Sequence, residues 1–66
     1  MDEQIKKIEH YVNLLNRGMG IRISVEIKGF HGVVREDGNI IFCTSGSQAV
    51  SVIEAYLMGF VTALTR

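Results

Sequence analysis

Proline and tryptophan are absent from this 66-residue chain, cysteine occurs once, and neither sign of charge is in excess, with seven Lys+Arg against seven Asp+Glu. Each shortage excludes a class of protein. A single Cys43 cannot close an internal disulfide, so the chain is not a stapled secreted mini-protein. Structural zinc takes about four ligands. Cys43, His10 and His31 are the only soft candidates and show no CxxC or HxxxH spacing, so no metal and no cofactor is expected. A net charge of zero with both histidines neutral argues against a polybasic nucleic-acid or membrane-surface module, and against an acidic imitation of nucleic acid. Long apolar runs are missing too. Residues 49–64 form the most apolar stretch, but Ser51, Glu54, Gly59 and Thr62 interrupt it, and it falls short of the roughly 20 residues that span a bilayer. The opening Met1-Asp2-Glu3-Gln4 has no basic segment before an apolar run. No signal peptide and no membrane partner are therefore expected, and a reducing cytoplasm, bacterial or phage-infected, is the default setting.

What is present is a hydrophobic chain. At 47% apolar residues with positive mean hydropathy, it is too apolar to remain disordered. Below roughly 70–80 residues a single core rarely supplies more than about 3–5 kcal/mol, and small chains add disulfides, metal or oligomerisation. The first two are missing, so self-association, most simply a two-fold homodimer, is expected before any motif is read.

The chain divides by period into helix, strands and helix, within a single domain of residues 1–66. Over residues 2–17, Ile5, Ile8, Val12 and Leu15 recur at helical spacing, widened by Tyr11 and Leu14. Asp2 is placed to cap this helix and Gly18 to end it in the left-handed conformation. Residues 21–28 alternate apolar and polar. Gly29-Phe30 suits a II′-type hairpin turn and Asp37-Gly38 a type I′ turn, giving a meander with strands 21–28, 31–36 and 39–44. Two-residue turns pair Val25 with Val34, Ile27 with Gly32, Val34 with Ile41 and Gly32 with Cys43. One face then carries Ile21, Ile23, Val25, Ile27, Val34, Ile41 and Cys43, and the other Arg22, Ser24, Glu26, Lys28, His31, Val33, Arg35, Ile40, Phe42 and Thr44. Residues 46–65 read as a second helix. Ser45 with Gln48 forms a capping box, and Ser47 is the competing cap. Val50, Ile53, Leu57, Phe60 and Leu64 form its core stripe, and only Ser51, Glu54, Thr62 and Thr65 look wet. The fold class is α+β: a two-layer α-β-β-β-α domain, its three-stranded antiparallel meander covered on one face by both helices.

Three surfaces could act. The second helix is apolar nearly all round, as a helix buried on more than one side is, and Val52, Tyr56, Gly59, Phe60 and Ala63 are the expected dimer interface. The plainer account is that the helix simply lies centrally across a narrow sheet. On the outer sheet face, Val33, Ile40 and Phe42, flanked by Glu26, Lys28, His31 and Arg35, resemble a contact patch; the alternative is a half-exposed face with Lys and Arg stems lying over Phe42. At the hairpin tip, Phe30 either makes contacts from a mobile loop or, as expected here, folds back over the end of the core. Phe30, His31, Val33, Arg35 and Phe42 are accordingly the candidate residues for a protein partner.

Catalysis finds little support. A thiolate nucleophile needs a base within hydrogen-bond reach, and the expected register sends Cys43 inward and His31 outward. There is no carboxylate pair and no glycine-rich phosphate loop after a strand, so no catalytic residue is assigned. The Thr44-Ser45-Gly46-Ser47 entry to the second helix could hold one anion, although such hydroxyls more often just cap. The expected role is a small non-enzymatic interaction or regulatory module, on the scale of accessory proteins of bacteria and their phages. A small-molecule-binding module is one alternative.

Nucleic-acid binding is the other. The order α-β-β-β-α at this length resembles that of the double-stranded RNA-binding domain, whose first hairpin loop enters a minor groove and whose lysine-rich second-helix entry meets phosphates. The corresponding segments here are Gly29-Phe30-His31-Gly32 and Ser45-Gly46-Ser47-Gln48-Ala49, without the family's proline and lysine cluster. The likeness is one of topology over the whole chain, and few cations stand ready to release counterions.

Overall fold

The first helix does not end as a regular α-helix. In the computed structural model, which describes residues 2–66 and of Asp2 the backbone alone, α1 spans Asp2–Asn13 and runs into a π-helical turn, Leu14–Gly18. The expected Asp2 cap rests on a side chain outside the described residues. Ile8 and Leu15 are buried, Tyr11 and Val12 pack beside them, and Ile5, expected in the same stripe, is exposed. Gly18 is the last residue of the wide turn, and Gly20, at φ +69°, takes the left-handed conformation instead. The Ile21 N–H donates to the Leu15 carbonyl at 2.9 Å and the Ile23 N–H to Asn16 Oδ1 at 2.7 Å. Asn16, at first sight a solvated residue, thus ties the helix end to the first strand.

Strands β1 (Ile23–Lys28), β2 (His31–Glu36) and β3 (Asn39–Ser45) form one antiparallel sheet in the order β1-β2-β3. The turns carry the expected chemistry. Gly29 alone has positive φ in the first, and Asp37 and Gly38 both have it in the second, the II′ and I′ patterns. Val25 faces Val34 and Ile27 faces Gly32, as the alternation requires.

The second pairing departs from expectation two residues after its turn. Glu36 faces Asn39 and Arg35 faces Ile40, but Val34 faces Phe42. Ile41 is an extra residue in a β-bulge, which inverts the faces of the rest of β3. Phe42 and Thr44 therefore point to the helices, and Cys43, expected inside beside Gly32, is exposed opposite Val33. Ile41, also expected inside, is exposed. The gain from the inversion is visible in the second helix: the Phe42 ring stacks on Tyr56 with centroids 4.3 Å apart and planes 9° from parallel, an arrangement that adds about 0.5–1.5 kcal/mol to area burial.

Helix α2 spans Ala49–Thr65. It begins later than the capping signals suggest, because Ser45 completes β3 and Gly46 turns the chain at φ +117°. Gln48 is the N-cap residue and makes no side-chain cap bond, so neither Ser45 nor Ser47 caps the helix. Ala49, Ile53 and Leu57 are buried, whereas Leu64 is exposed. Both helices lie on one face of the sheet, α2 over β2 and β3, and α1 against α2 and β1. The core joins Ile8, Leu15, Ile23, Val34, Ile53 and Leu57. This is the expected α+β meander with two layers. Among the described residues, no helix is long and apolar enough to cross a membrane.

Candidate interaction surfaces

Helix α2 uses its polar residues in an unexpected direction. Ser51 and Glu54, half of the strip expected to face water, face α1 instead: Gln4 Nε2 donates to Ser51 Oγ at 2.9 Å, and Lys7 Nζ lies 4.0 Å from Glu54 Oε2. With α1 on that flank and the sheet beneath, the remaining surface of α2 is mostly apolar, with Thr62 and Thr65 its polar residues. Val52 is 37% exposed and Met58 49%, and Ala55, Gly59 and Ala63 are exposed between them. Thr62 lies on this surface as well, but its hydroxyl donates to the Met58 carbonyl at 2.8 Å, so its hydrogen-bonding need is met within the helix. Ala55, Met58, Gly59, Thr62, Ala63 and Arg66 line a shallow depression of about 350 Å³. A Cβ added at Gly59 would have nothing within 4 Å.

The five residues expected to form a dimer interface are thereby divided. Val52, Gly59 and Ala63 are exposed on one flank of α2. Tyr56 and Phe60 are half-buried and pack on the core. Tyr56 stacks on Phe42, and the Phe60 ring is tilted against it with centroids at 6.1 Å. The two aromatics build the floor of the flank. Ala55 and Met58 also belong to the exposed surface and were not anticipated; both sit on the crest of α2, turned away from the buried Ile53 and Leu57.

The outer sheet face is likewise rearranged. His31, Val33 and Arg35 are there as expected, and the Arg35 guanidinium meets Glu26 Oε1 at 3.2 Å. Phe42 has left this face, and the bulge brings Cys43 to it beside Ile40, which is 58% exposed. Cys43 and His31 consequently share a face, and with Val33 and Ser45 they border a shallow depression. Phe30, expected to fold over the core, is 69% exposed at the hairpin tip.

A third concavity opens between α1 and β1, where the helix and strand diverge. It measures about 400 Å³ and is lined by Ile5, Ile8, Val12, Val25 and Ile27 with Glu9 and Asn13 at its polar border. Compared with known family models, curated proteins and solved structures, the chain matches none of them.

Proposed function

We propose that the protein is a small, non-enzymatic, cytoplasmic interaction module that acts as a homodimer through α2 and binds a further protein through its outer sheet face. The observation that carries this reading is the orientation of α2. Its Ser51 and Glu54 are spent on α1, while Val52, Met58, Gly59 and Ala63 face outward, the reverse of what a helix against water requires. A chain this small, with a core of six clustered side chains among the described residues, gains most by covering that flank. The outer face offers Phe30, His31, Val33, Arg35, Ile40 and Cys43, an apolar strip bordered by charge, as the partner surface.

Sedimentation of the wild-type chain beside Ala63→Glu and Gly59→Leu tests the homodimer. The expected result is a dimer that both variants convert to a folded monomer, and a monodisperse wild-type monomer overturns it. A second reading, small-molecule binding, draws on the groove between α1 and β1. Saturable quenching of an apolar dye that Val12→Glu abolishes is its signature. Salt-sensitive retention on double-stranded RNA would instead favour a nucleic-acid role.

A further inference from the structure

The two edges of the sheet differ in a way that bears on how copies of the chain meet. β1 reads ISVEIK and carries Glu26 and Lys28, whereas β3 reads NIIFCTS and carries no charge. Edge charges are a common device against strand-to-strand association. β3 has only its bulge, which blunts the strand around Ile40 and Ile41 and leaves residues 42–45 in regular pairing with β2. Among the described residues, nothing pairs with the outer side of this half-strand.

We propose that residues 42–45 are where a second copy adds its own β3, antiparallel across a two-fold axis, joining two three-stranded sheets into one of six. This rests on the homodimer reading and specifies its geometry. The helix layer agrees with it. Ile53 lies against Gly32 of β2 and Tyr56 against Phe42 of β3, so α2 runs above both strands. With strands about 4.8 Å apart, an axis midway between two joined β3 edges stands about 2.4 Å from β3 and about 7 Å from β2. A helix above the two is then about 5 Å from the axis, and the two copies of α2 are about 10 Å apart, which is helix-packing distance. The flank of α2 turned toward the axis is the one opposite α1, and it carries Val52, Gly59 and Ala63, whose small side chains allow that approach. Strand edge and helix flank thus complete one surface that neither forms alone.

The area suits a weak, concentration-dependent dimer. The chain exposes 4605 Å², against about 4,200 Å² for a compact monomer of its mass. The helix layer of the shared strip is about 25 Å long, the length of α2, and its strand layer about 14 Å, the length of residues 42–45. With each layer about 10 Å thick, it covers on the order of 400 Å² per copy, below the standard size and in the range of weak, transient interfaces.

The test is sedimentation velocity of the full chain from about 1 µM to about 1 mM, the range where weak association is resolved, with folding of each variant verified by circular dichroism. Cys43→Lys places a charge on the edge at an exposed position, Ala63→Glu charges the helix flank, and Val33→Lys charges the outer face one strand in from the edge, opposite Cys43. Edge pairing predicts at least tenfold weaker dimerisation for the first two and an unchanged constant for the third. Dissociation by Ala63→Glu but not by Cys43→Lys overturns edge pairing and leaves an α2 homodimer standing. Dissociation by Val33→Lys overturns it in favour of face-to-face sheets. A wild-type monomer at all concentrations defeats the homodimer reading and this one together. Amide exchange of the wild-type chain supplies a test without variants: slowing within residues 42–45 as concentration rises is expected, and its absence in a demonstrated dimer overturns the proposal.

Discussion

Ile53 rests on Gly32 so closely that a Cβ at position 32 would stand 2.9 Å from Ile53 Cγ1 and 3.2 Å from its Cδ1. Ile53 is fully buried and has little room to retreat. Glycine at this point of β2 lets α2 settle onto the sheet, and that contact sets the spacing of the two layers.

Gly32→Ala is therefore expected to destabilise the chain by about 1–3 kcal/mol, the usual cost of overpacking, despite the better strand propensity of alanine. Urea denaturation measures it. The loss should shrink in an Ile53→Ala background, because the two residues share one contact and their effects are not additive. An equal loss in both backgrounds would place the strain elsewhere.

The bulge at Ile41 makes a prediction about Cys43. A regular ladder would bury this thiol beside Gly32, whereas the observed register exposes it. Ellman's reagent should consequently titrate one thiol per chain in the native protein, at a rate comparable to that in urea. Protection released only by denaturant would mean that the faces of β3 are not inverted.

Asn16 should matter more than an exposed asparagine ordinarily does. Its Oδ1 accepts the Ile23 N–H at 2.7 Å, and Ile23 is buried at the start of β1. Asn16→Ala leaves that donor only the Ile21 carbonyl, 3.0 Å away, and is expected to cost about 0.5–1.5 kcal/mol. Asn16→Asp keeps an acceptor in place and should retain most of the stability. Hydrogen exchange at the Ile23 amide gives a local readout, accelerated in the first variant and near wild type in the second.

These residues also show which parts of the molecule could be read in one dimension. Both hairpin turns, the register of β1 on β2 and the two-layer plan were legible because parity and turn chemistry are local. The faces of β3 were not. Ile41 and Phe42 are adjacent apolar residues, either of which satisfies the alternation, and the choice is made by Tyr56 on another element. The flank of α2 was misread for a similar reason. Ser51 and Glu54 default to water in a sequence reading, while the Gln4 that engages Ser51 is 47 residues away. Of the candidate surfaces, the outer face was legible except where the bulge exchanged Phe42 for Cys43, and Phe30 is exposed because the tight Gly29-Phe30 turn carries it beyond the sheet.

Gly59 separates the subunit from the assembly by the sign of a single substitution. In one chain, a methyl at this position meets nothing within 4 Å, and glycine inside a helix costs roughly 0.5–1 kcal/mol relative to alanine. Gly59→Ala should therefore raise the stability of the monomer by about that amount, measured by denaturation at concentrations where the chain is dissociated. In a dimer whose α2 helices meet across Gly59, the same methyl enters a contact between backbones. Overpacking of about 1–3 kcal/mol then weakens association by at least roughly fivefold, since about 1.4 kcal/mol is a factor of ten. The two effects run in opposite directions, so loss of folding cannot imitate the second. A chain that becomes more stable and self-associates as before would show that the flank of Val52, Gly59 and Ala63 is not where two copies meet.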